Sequence, residues 1–324
     1  MAWNRPAASN CLTTSPETKD RMLIETLLPL GKLDPGLREP ETPLRIDEFA
    51  AGAELAEACG LDAVLVEETT DDPFQLLALG AAATNTIGLG TSVAMAFPRS
   101  PTVMATSAWS LQKLSHGRFV LGLGTQVRAH VERRYGLGWH APAPWMRDYV
   151  RALRAVWECW QTDTPLHREG PHYRLDLMVP LFDPGPIDHP NIPVHVAAVG
   201  PNMCAVAGEV ADGVRLHPVF NTRYIDEIVI PALALGASRV GREPWSSAMP
   251  LGSIASSSRY RCETMMTQRH SERYSAISVR EWHHADGASS ASPPRPLADH
   301  AGSIDRHVMV TSFGPSTSHK TAAR

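Results

Sequence analysis

The sequence predicts an α/β protein, a TIM (β/α)8-type barrel of which six strand–helix units are recognisable. Short, nearly all-apolar runs alternate with longer segments whose apolar residues recur at helical spacing. Such runs are typical of parallel strands covered by helices, in a doubly wound sheet or an eightfold barrel. A dinucleotide fingerprint would favour the first. Gly122-Leu123-Gly124 instead follows the fourth strand, and Val127 replaces the third glycine, so we favour the barrel.

Turn and capping residues set the limits of these elements. Gly60 is a helix C-cap signal, and Asp72-Pro73 and Ser100-Pro101 each place a capping side chain before a proline at the first helical position. A proline-rich stretch at 162–192 carries no predicted element. The predicted strands are 22–28, 62–67, 87–93, 118–122, 193–197 and 213–217. The predicted helices are 46–59, 72–84, 100–113, 146–160, 201–210 and 222–238.

Composition excludes several classes of function. The 324 residues carry a net charge of −4 without a basic patch, which argues against nucleic-acid binding. The apolar runs are far shorter than the roughly 20 residues of a membrane span. Five scattered cysteines form no CxxC pair, so we expect neither disulfides nor a metal site and place the protein in the cytoplasm. A small-molecule substrate is the expected partner, and a homo-oligomer stays open.

The chain divides into three parts. Residues 1–20 form a polar leader, expected to be disordered, and residues 21–243 form the patterned body. Residues 1–244 contain 28 leucines, whereas residues 245–324 contain two leucines and 16 serines without helical or strand periodicity. Since the body holds only six of eight strands, we predict an incomplete barrel with a tail, 244–324, that is foreign to the fold. The alternative is that the tail folds into irregular strands.

Three separated phrases resemble the bacterial luciferase-like monooxygenase family. They are IGLGTS at 87–92, LQKLSHGRFVLGLGT at 111–125 and AAVGPNMCAVAGEVADG at 197–213. EETTDDPF at 67–74 and GLGTQVRAHVERRY at 122–135 are similar to a deazaflavin-using actinobacterial branch. The resemblance implies a TIM barrel that binds its cofactor at the carboxyl ends of the strands. Coenzyme F420 is the preferred cofactor, and FMN is the alternative.

Two segments are predicted to hold that cofactor. The resemblance implies a non-proline cis peptide at Ser92–Val93, facing the cofactor ring, whereas the residues alone favour an ordinary strand end. After the fifth strand, the backbone N–H groups and the helix dipole beyond Gly200 suit a phosphate, although a plain turn explains the same residues. The resemblance favours the phosphate and implies contacts from Ala198, Val199, Gly200, Pro201 and Asn202.

Two further loops carry candidate polar residues. The resemblance implies that Gln126, Arg128 and His130 contact the cofactor, with His130 catalytic; a surface histidine is the alternative. Relatives often carry a histidine after strand two, and this chain has none. Glu68 stands near that position and is predicted to bind the cofactor or accept a proton if burial raises its pKa. A solvated loop carboxylate is the alternative. His217 is a further candidate for the substrate pocket.

The resemblance thus implies an oxidoreductase that moves a hydride between a flavin or deazaflavin and a small organic substrate, with oxygen incorporation left open. In such chemistry the cofactor reacts and the protein orients it. A non-catalytic cofactor-binding barrel is the alternative, since the strand-two histidine is missing. A hydrolase is disfavoured because the chain contains neither a convincing carboxylate pair nor a GxSxG nucleophile elbow.

Overall fold

The computed structural model describes residues 23–28, 44–217 and 220–242 and a short strand at 251–252. Within that part of the chain, no helix is both long and apolar enough to cross a bilayer. The strands are β1 (Glu25–Leu27), β2 (Ala63–Val66), β3 (Gly88–Thr91), β4 (Ala94–Met95), β5 (Phe119–Gly124), β6 (Arg168–Glu169), β7 (Arg174–Leu175), β8 (Val194–Ala197), β9 (Gly213–Arg215) and β10 (Leu251–Gly252). The α-helices are α1 (Phe49–Ala58), α2 (Pro73–Ala83), α3 (Pro101–Leu114), α4 (Arg128–Arg133), α5 (Pro142–Thr162), α6 (Pro201–Val210), α7 (Thr222–Tyr224) and α8 (Ile230–Ser238).

The main sheet is parallel and confirms the predicted α/β barrel class. Its order is β1-β2-β3-β5-β8-β9-β10, with β4 also paired to β5. All six predicted strands are present. The short strand β10, which lies within the predicted tail, pairs in parallel with β9, the sixth predicted strand. The rest of the predicted tail and the predicted leader, 1–20, lie outside the described residues.

Register divides the sheet into an outer face toward the helices and an inner face. A Cβ atom at Gly80 of α2 would lie 3.4 Å from Leu89, and one at Gly52 of α1 would lie 3.1 Å from Leu28, so both leucines face outward. Their strand neighbours therefore face inward. The register extends this inner face to Glu25, Leu27, Ala63, Leu65, Gly88, Gly90, Val120, Gly122, His195, Ala197, Gly213 and Arg215.

An ion pair across the inner face shows that the sheet curls. Arg215 on β9 donates hydrogen bonds to both carboxylate oxygens of Glu25 on β1, although four strands separate them in the sheet order. Both side chains are largely buried, at 6% and 15% exposure. Removing one member of such a pair leaves an uncompensated charge, at a cost of about 3–5 kcal/mol. The pair therefore ties the first strand to the sixth.

His195 lies beside this pair on the inner face. Its ring packs against Gly213, where a side chain would overlap it, and only 7% of the residue is exposed. Burial, with a smaller contribution from the positive charge of Arg215, lowers the pKa of His195 to about 4. The imidazole is therefore neutral at pH 7.

The stretch 162–192 corrects the prediction that it contains no element. It forms the antiparallel hairpin β6–β7 and a 3₁₀ turn at Pro180–Phe182. The buried carboxylate of Asp148 on α5 fastens this hairpin by accepting hydrogen bonds from Arg168 (2.5 Å), the His172 amide (2.7 Å) and the Tyr173 amide (3.0 Å). The predicted last helix is also interrupted, by a π-helical turn at Ile225–Val229.

Helices α3 and α5 join through tryptophans. The ring centroids of Trp109 and Trp157 are 6.4 Å apart, those of Trp109 and Trp160 are 5.7 Å apart, and all three are buried. Trp145 stacks on Phe97 at 3.6 Å. These residues are therefore part of the packing around α5.

The depressed pKa of His195 predicts a specific pH dependence of stability. Its folded pKa lies below the ordinary 6.5, so the unfolded state binds the proton more tightly. The stabilisation is complete above about pH 6.5 and falls away toward pH 4. Between pH 7 and pH 5 the difference is about 2 kcal/mol. Denaturant unfolding should show that His195→Gln removes this component while the exposed control His167→Gln retains it. Equal pH dependence in both variants would contradict the prediction.

Candidate functional site

The chain forms a bulge between β3 and β4. The peptide bond between Ser92 and Val93 is cis, which confirms the expectation from the resemblance. Before the bulge, β3 pairs with β2 and with the beginning of β5; after it, β4 pairs with the end of β5. We call Thr91–Met95 the shelf. It lies at the carboxyl end of the sheet, where parallel barrels bind their ligands.

Two glycines of β5 make room for the shelf. A Cβ atom at Gly122 would overlap the carbonyl oxygen of Thr91, and one at Gly124 would lie 2.5 Å from Val93 Cγ2. The Thr91 hydroxyl donates to the Gly122 carbonyl at 2.7 Å and accepts from the Gly122 amide at 2.9 Å. The two glycines of the GxG motif therefore leave the space that the shelf occupies. The motif was predicted to follow the fourth strand, but it lies within that strand, β5.

Glu68 follows β2 and is not a solvated loop carboxylate, so that alternative is wrong. Its side chain is 13% exposed. The carboxylate accepts hydrogen bonds from the Met95 amide at 2.7 Å and from Arg99 Nη1 at 2.6 and 2.8 Å. Both oxygens are thus engaged by donors. Its role as a proton acceptor stays a prediction, and Arg99 is a partner that the sequence did not reveal.

The segment after β5 is a short helix, α4, where the sequence predicted a loop. Gln126 precedes it in a left-handed conformation with φ 63°, and its side chain is half-buried. Arg128 and His130 lie on α4 and are exposed; Arg128 pairs with Glu132 at 3.0 Å. The structure thus places Gln126 at the strand end and the other two on a solvent-facing helix. Cofactor contacts and catalysis by His130 stay predictions.

The Gly200 loop begins α6 without a capping side chain. Ala198 is buried, Val199, Pro201 and Asn202 are exposed, and Val199 accepts a hydrogen bond from the Tyr224 hydroxyl at 2.9 Å. Gly200 has φ −89°, so a need for positive φ is not why glycine stands there. A Cβ atom at Gly200 would have no other atom within 4 Å.

These segments share one end of the sheet. The shelf, Glu68, Gln126 and the Gly200 loop follow the carboxyl ends of β2, β3, β5 and β8, which are parallel neighbours. His217 follows β9 at the same end and is exposed. The open space at Gly200 and the uncapped amides of α6 fit a phosphate group. Within the shelf, Ser92 and Val93 are half-buried, so this part of it is open to a ring system. The described residues therefore fit a phosphate-bearing flavin-type cofactor.

Comparison with known proteins identifies the family. A family model described as luciferase-like monooxygenase matches residues 29–307, and the chain belongs to this family. The match continues into the predicted tail, whereas the resemblance in the sequence was expected to end at residue 243. Whether the tail is foreign to the fold stays a prediction.

Two curated relatives come from Mycobacterium tuberculosis H37Rv. An uncharacterised protein is 43% identical over 201 residues, which are 62% of this chain and 59% of that protein. A second protein, provisionally named a coenzyme F420-dependent oxidoreductase, is 37% identical over 171 residues, 49% of this chain and 47% of its own. This chain therefore spans less than two thirds of the length of these relatives.

Solved structures show the same fold. The coenzyme F420-dependent tetrahydromethanopterin reductase from Methanopyrus kandleri superposes with a TM-score of 0.53 at 22% identity, over 68% of this chain and 61% of that one. The oxygenating constituent of 3,6-diketocamphane monooxygenase from Pseudomonas putida, solved with FMN, gives 0.55 at 18% identity, over 70% and 65%.

The close contact of the Thr91 backbone with Gly122, where the shelf crosses β5, predicts different effects for two similar substitutions. Gly122→Ala places a methyl group against the Thr91 backbone, so the shelf must move; we expect a loss of about 2 kcal/mol or more in the free energy of unfolding. Gly124→Ala meets only the end of the Val93 side chain, which can rotate, and should cost less. Chemical denaturation measures both, and equal stability of the two variants would refute the crossing.

Proposed function

We propose that this protein is a coenzyme F420-dependent oxidoreductase that moves a hydride between the cofactor and a small organic substrate, with FMN as the alternative cofactor. The observation that carries the proposal is that the shelf and the open Gly200 loop occur together at the carboxyl end of one parallel sheet. The shelf would support the ring, and the amides that begin α6 would hold the phosphate. The cofactor supplies the hydride chemistry.

The preference for F420 has two supports. The phrases at 67–74 and 122–135 are similar to the deazaflavin-using branch, and one relative with 37% identity carries an F420-dependent name. FMN stays the alternative because the structure of the diketocamphane monooxygenase contains it. The proposal leaves open whether oxygen is incorporated into the substrate. The expected partner of the protein is a small-molecule substrate.

The protein's own part in the reaction is to bind, orient and keep water out. Val93 and the backbone of the shelf would contact one face of the ring. Ala198, Val199, Gly200, Pro201 and Asn202 would line the phosphate end, with the side-chain amide of Asn202 as an added donor. His130, on the exposed helix α4, is the proposed proton donor or acceptor. Gln126 and Arg128 are the proposed cofactor contacts beside it.

One observation favours a second function, a cofactor-binding barrel without catalysis. Both oxygens of Glu68, the carboxylate nearest the missing histidine position, are engaged by Arg99 and the Met95 amide. A group held in this way is a poor proton acceptor, because accepting a proton would break the ion pair. Binding without turnover is the outcome that identifies this alternative.

Cofactor titration tests the function directly. We expect the purified full chain to bind F420 more tightly than FMN, measured by quenching of tryptophan fluorescence, and to reduce or oxidise bound F420 with at least one substrate from a panel of alcohols, aldehydes and enones. Tighter binding of FMN would reverse the cofactor preference. Binding without any turnover would support the non-catalytic barrel, and binding of neither cofactor would refute both functions.

The phosphate loop can be tested apart from folding. Gly200→Val fills space that is open in the protein, so we expect normal stability but an affinity for the cofactor reduced about tenfold or more, since the branched side chain occupies the phosphate position. Ala51→Val, at an exposed position of α1, is the control for adding bulk at the surface. Unchanged affinity in a folded Gly200→Val protein would remove this loop from the site.

A further inference from the structure

The shelf is held on two sides. On the β5 side, the Thr91 hydroxyl and the Gly122 backbone exchange two hydrogen bonds. On the β2 side, the Glu68 amide donates to the Val93 carbonyl at 3.4 Å, and the Glu68 carboxylate accepts from the Met95 amide at 2.7 Å. Glu68 therefore contacts the segment that follows the Ser92–Val93 bond through both its backbone and its side chain.

Arg99 connects this contact to two helices. Its guanidinium binds Glu68 and also donates to Asp72 at 3.1 Å, while Asp72 caps α2 by accepting from the Phe74 amide at 2.8 Å. The Arg99 carbonyl accepts a hydrogen bond from the Tyr149 hydroxyl of α5 at 3.0 Å. The network thus links the shelf, α2 and α5.

The charges in this network compensate each other within a largely water-excluded region. The side chains of Arg99 and Glu68 are 18% and 13% exposed, while that of Asp72 is 39% exposed. Burial lowers the pKa of Arg99, but its hydrogen bonds and ion pairs with Glu68 and Asp72 outweigh burial and raise the pKa overall. Arg99 stays charged, and Glu68 has a cationic partner at hydrogen-bond distance. Removing either partner would expose the shelf to an uncompensated charge.

We propose that Glu68 and Arg99 are positioning residues that hold the shelf against the cofactor ring. Their opposite charges compensate each other beside the ring. This inference rests on the proposed function, because it needs a cofactor at the shelf. It gives Glu68 a different task from proton transfer. Its specific consequence is that removing either partner shifts the reduction potential of the bound cofactor, and that the two shifts have opposite signs.

The signs follow from simple electrostatics. Reduction adds electrons to the ring, so a nearby positive charge raises the reduction potential and a negative charge lowers it. Glu68→Gln leaves Arg99 with only the half-exposed Asp72 and should raise the potential. Arg99→Met leaves the Glu68 carboxylate without its cation and should lower it. Glu68→Gln with Arg99→Met in one chain should restore a potential between those of the single variants.

The experiment is a dye-linked redox titration of the full chain loaded with the cofactor that it binds, F420 or FMN, beside a binding titration and thermal unfolding. Tyr149→Phe is the control, because it removes the hydrogen bond to the Arg99 carbonyl without changing charge; we expect weaker binding and an unchanged potential. Arg99→Lys keeps the charge and serves if Arg99→Met fails to fold; its potential should match that of the wild type.

Each outcome decides the inference. Opposite shifts in Glu68→Gln and Arg99→Met support it. Shifts of the same sign, or unchanged potentials in variants that bind the cofactor normally, would overturn it and make the network a structural contact only. An altered potential in Arg99→Lys would also contradict it. Failure of the wild-type chain to bind either cofactor refutes the proposed function itself, a result distinct from the redox outcomes.

Discussion

The close crossing of the shelf over β5 is the constraint on which the rest of the site depends. The Thr91 carbonyl lies where the Cβ atom of any residue except glycine would stand at position 122. Because β5 has no side chain at position 122, the chain that leaves β3 can turn across β5. It then pairs with the end of β5 as β4. The ladder therefore continues on both sides of the bulge, and the shelf lies at the carboxyl end of the sheet.

The Glu25–Arg215 and Glu68–Arg99 ion pairs connect elements that the backbone ladder does not. Glu25 and Arg215 join β1 to β9 across the inner face. Glu68 and Arg99 join the loop after β2 to the segment after β4. Such pairs contribute little net stability compared with apolar contacts, but they are costly to break and therefore specify position.

The sequence predicted the strand–helix alternation well, because the strands are nearly all apolar and the helices carry capping residues such as Asp72 and Ser100. Partners far apart in the chain were not predictable. Arg99 lies 31 residues from Glu68 and carries no local signal, and the hairpin at 168–175 depends on Asp148, a buried carboxylate within an amphipathic helix. Whether the Gly200 loop binds the cofactor stays a prediction; its backbone φ is negative, and the space beside it is open.

The structure of the complex tests the central claim, that the shelf and the Gly200 loop form one cofactor site. The measurement is a crystal structure of the full chain with F420, or with FMN if that binds more tightly. We predict the ring against Ser92–Val93 and the phosphate at the amides beyond Gly200. A ring bound away from the shelf, or a phosphate held by residues outside the Gly200 loop, would contradict this account.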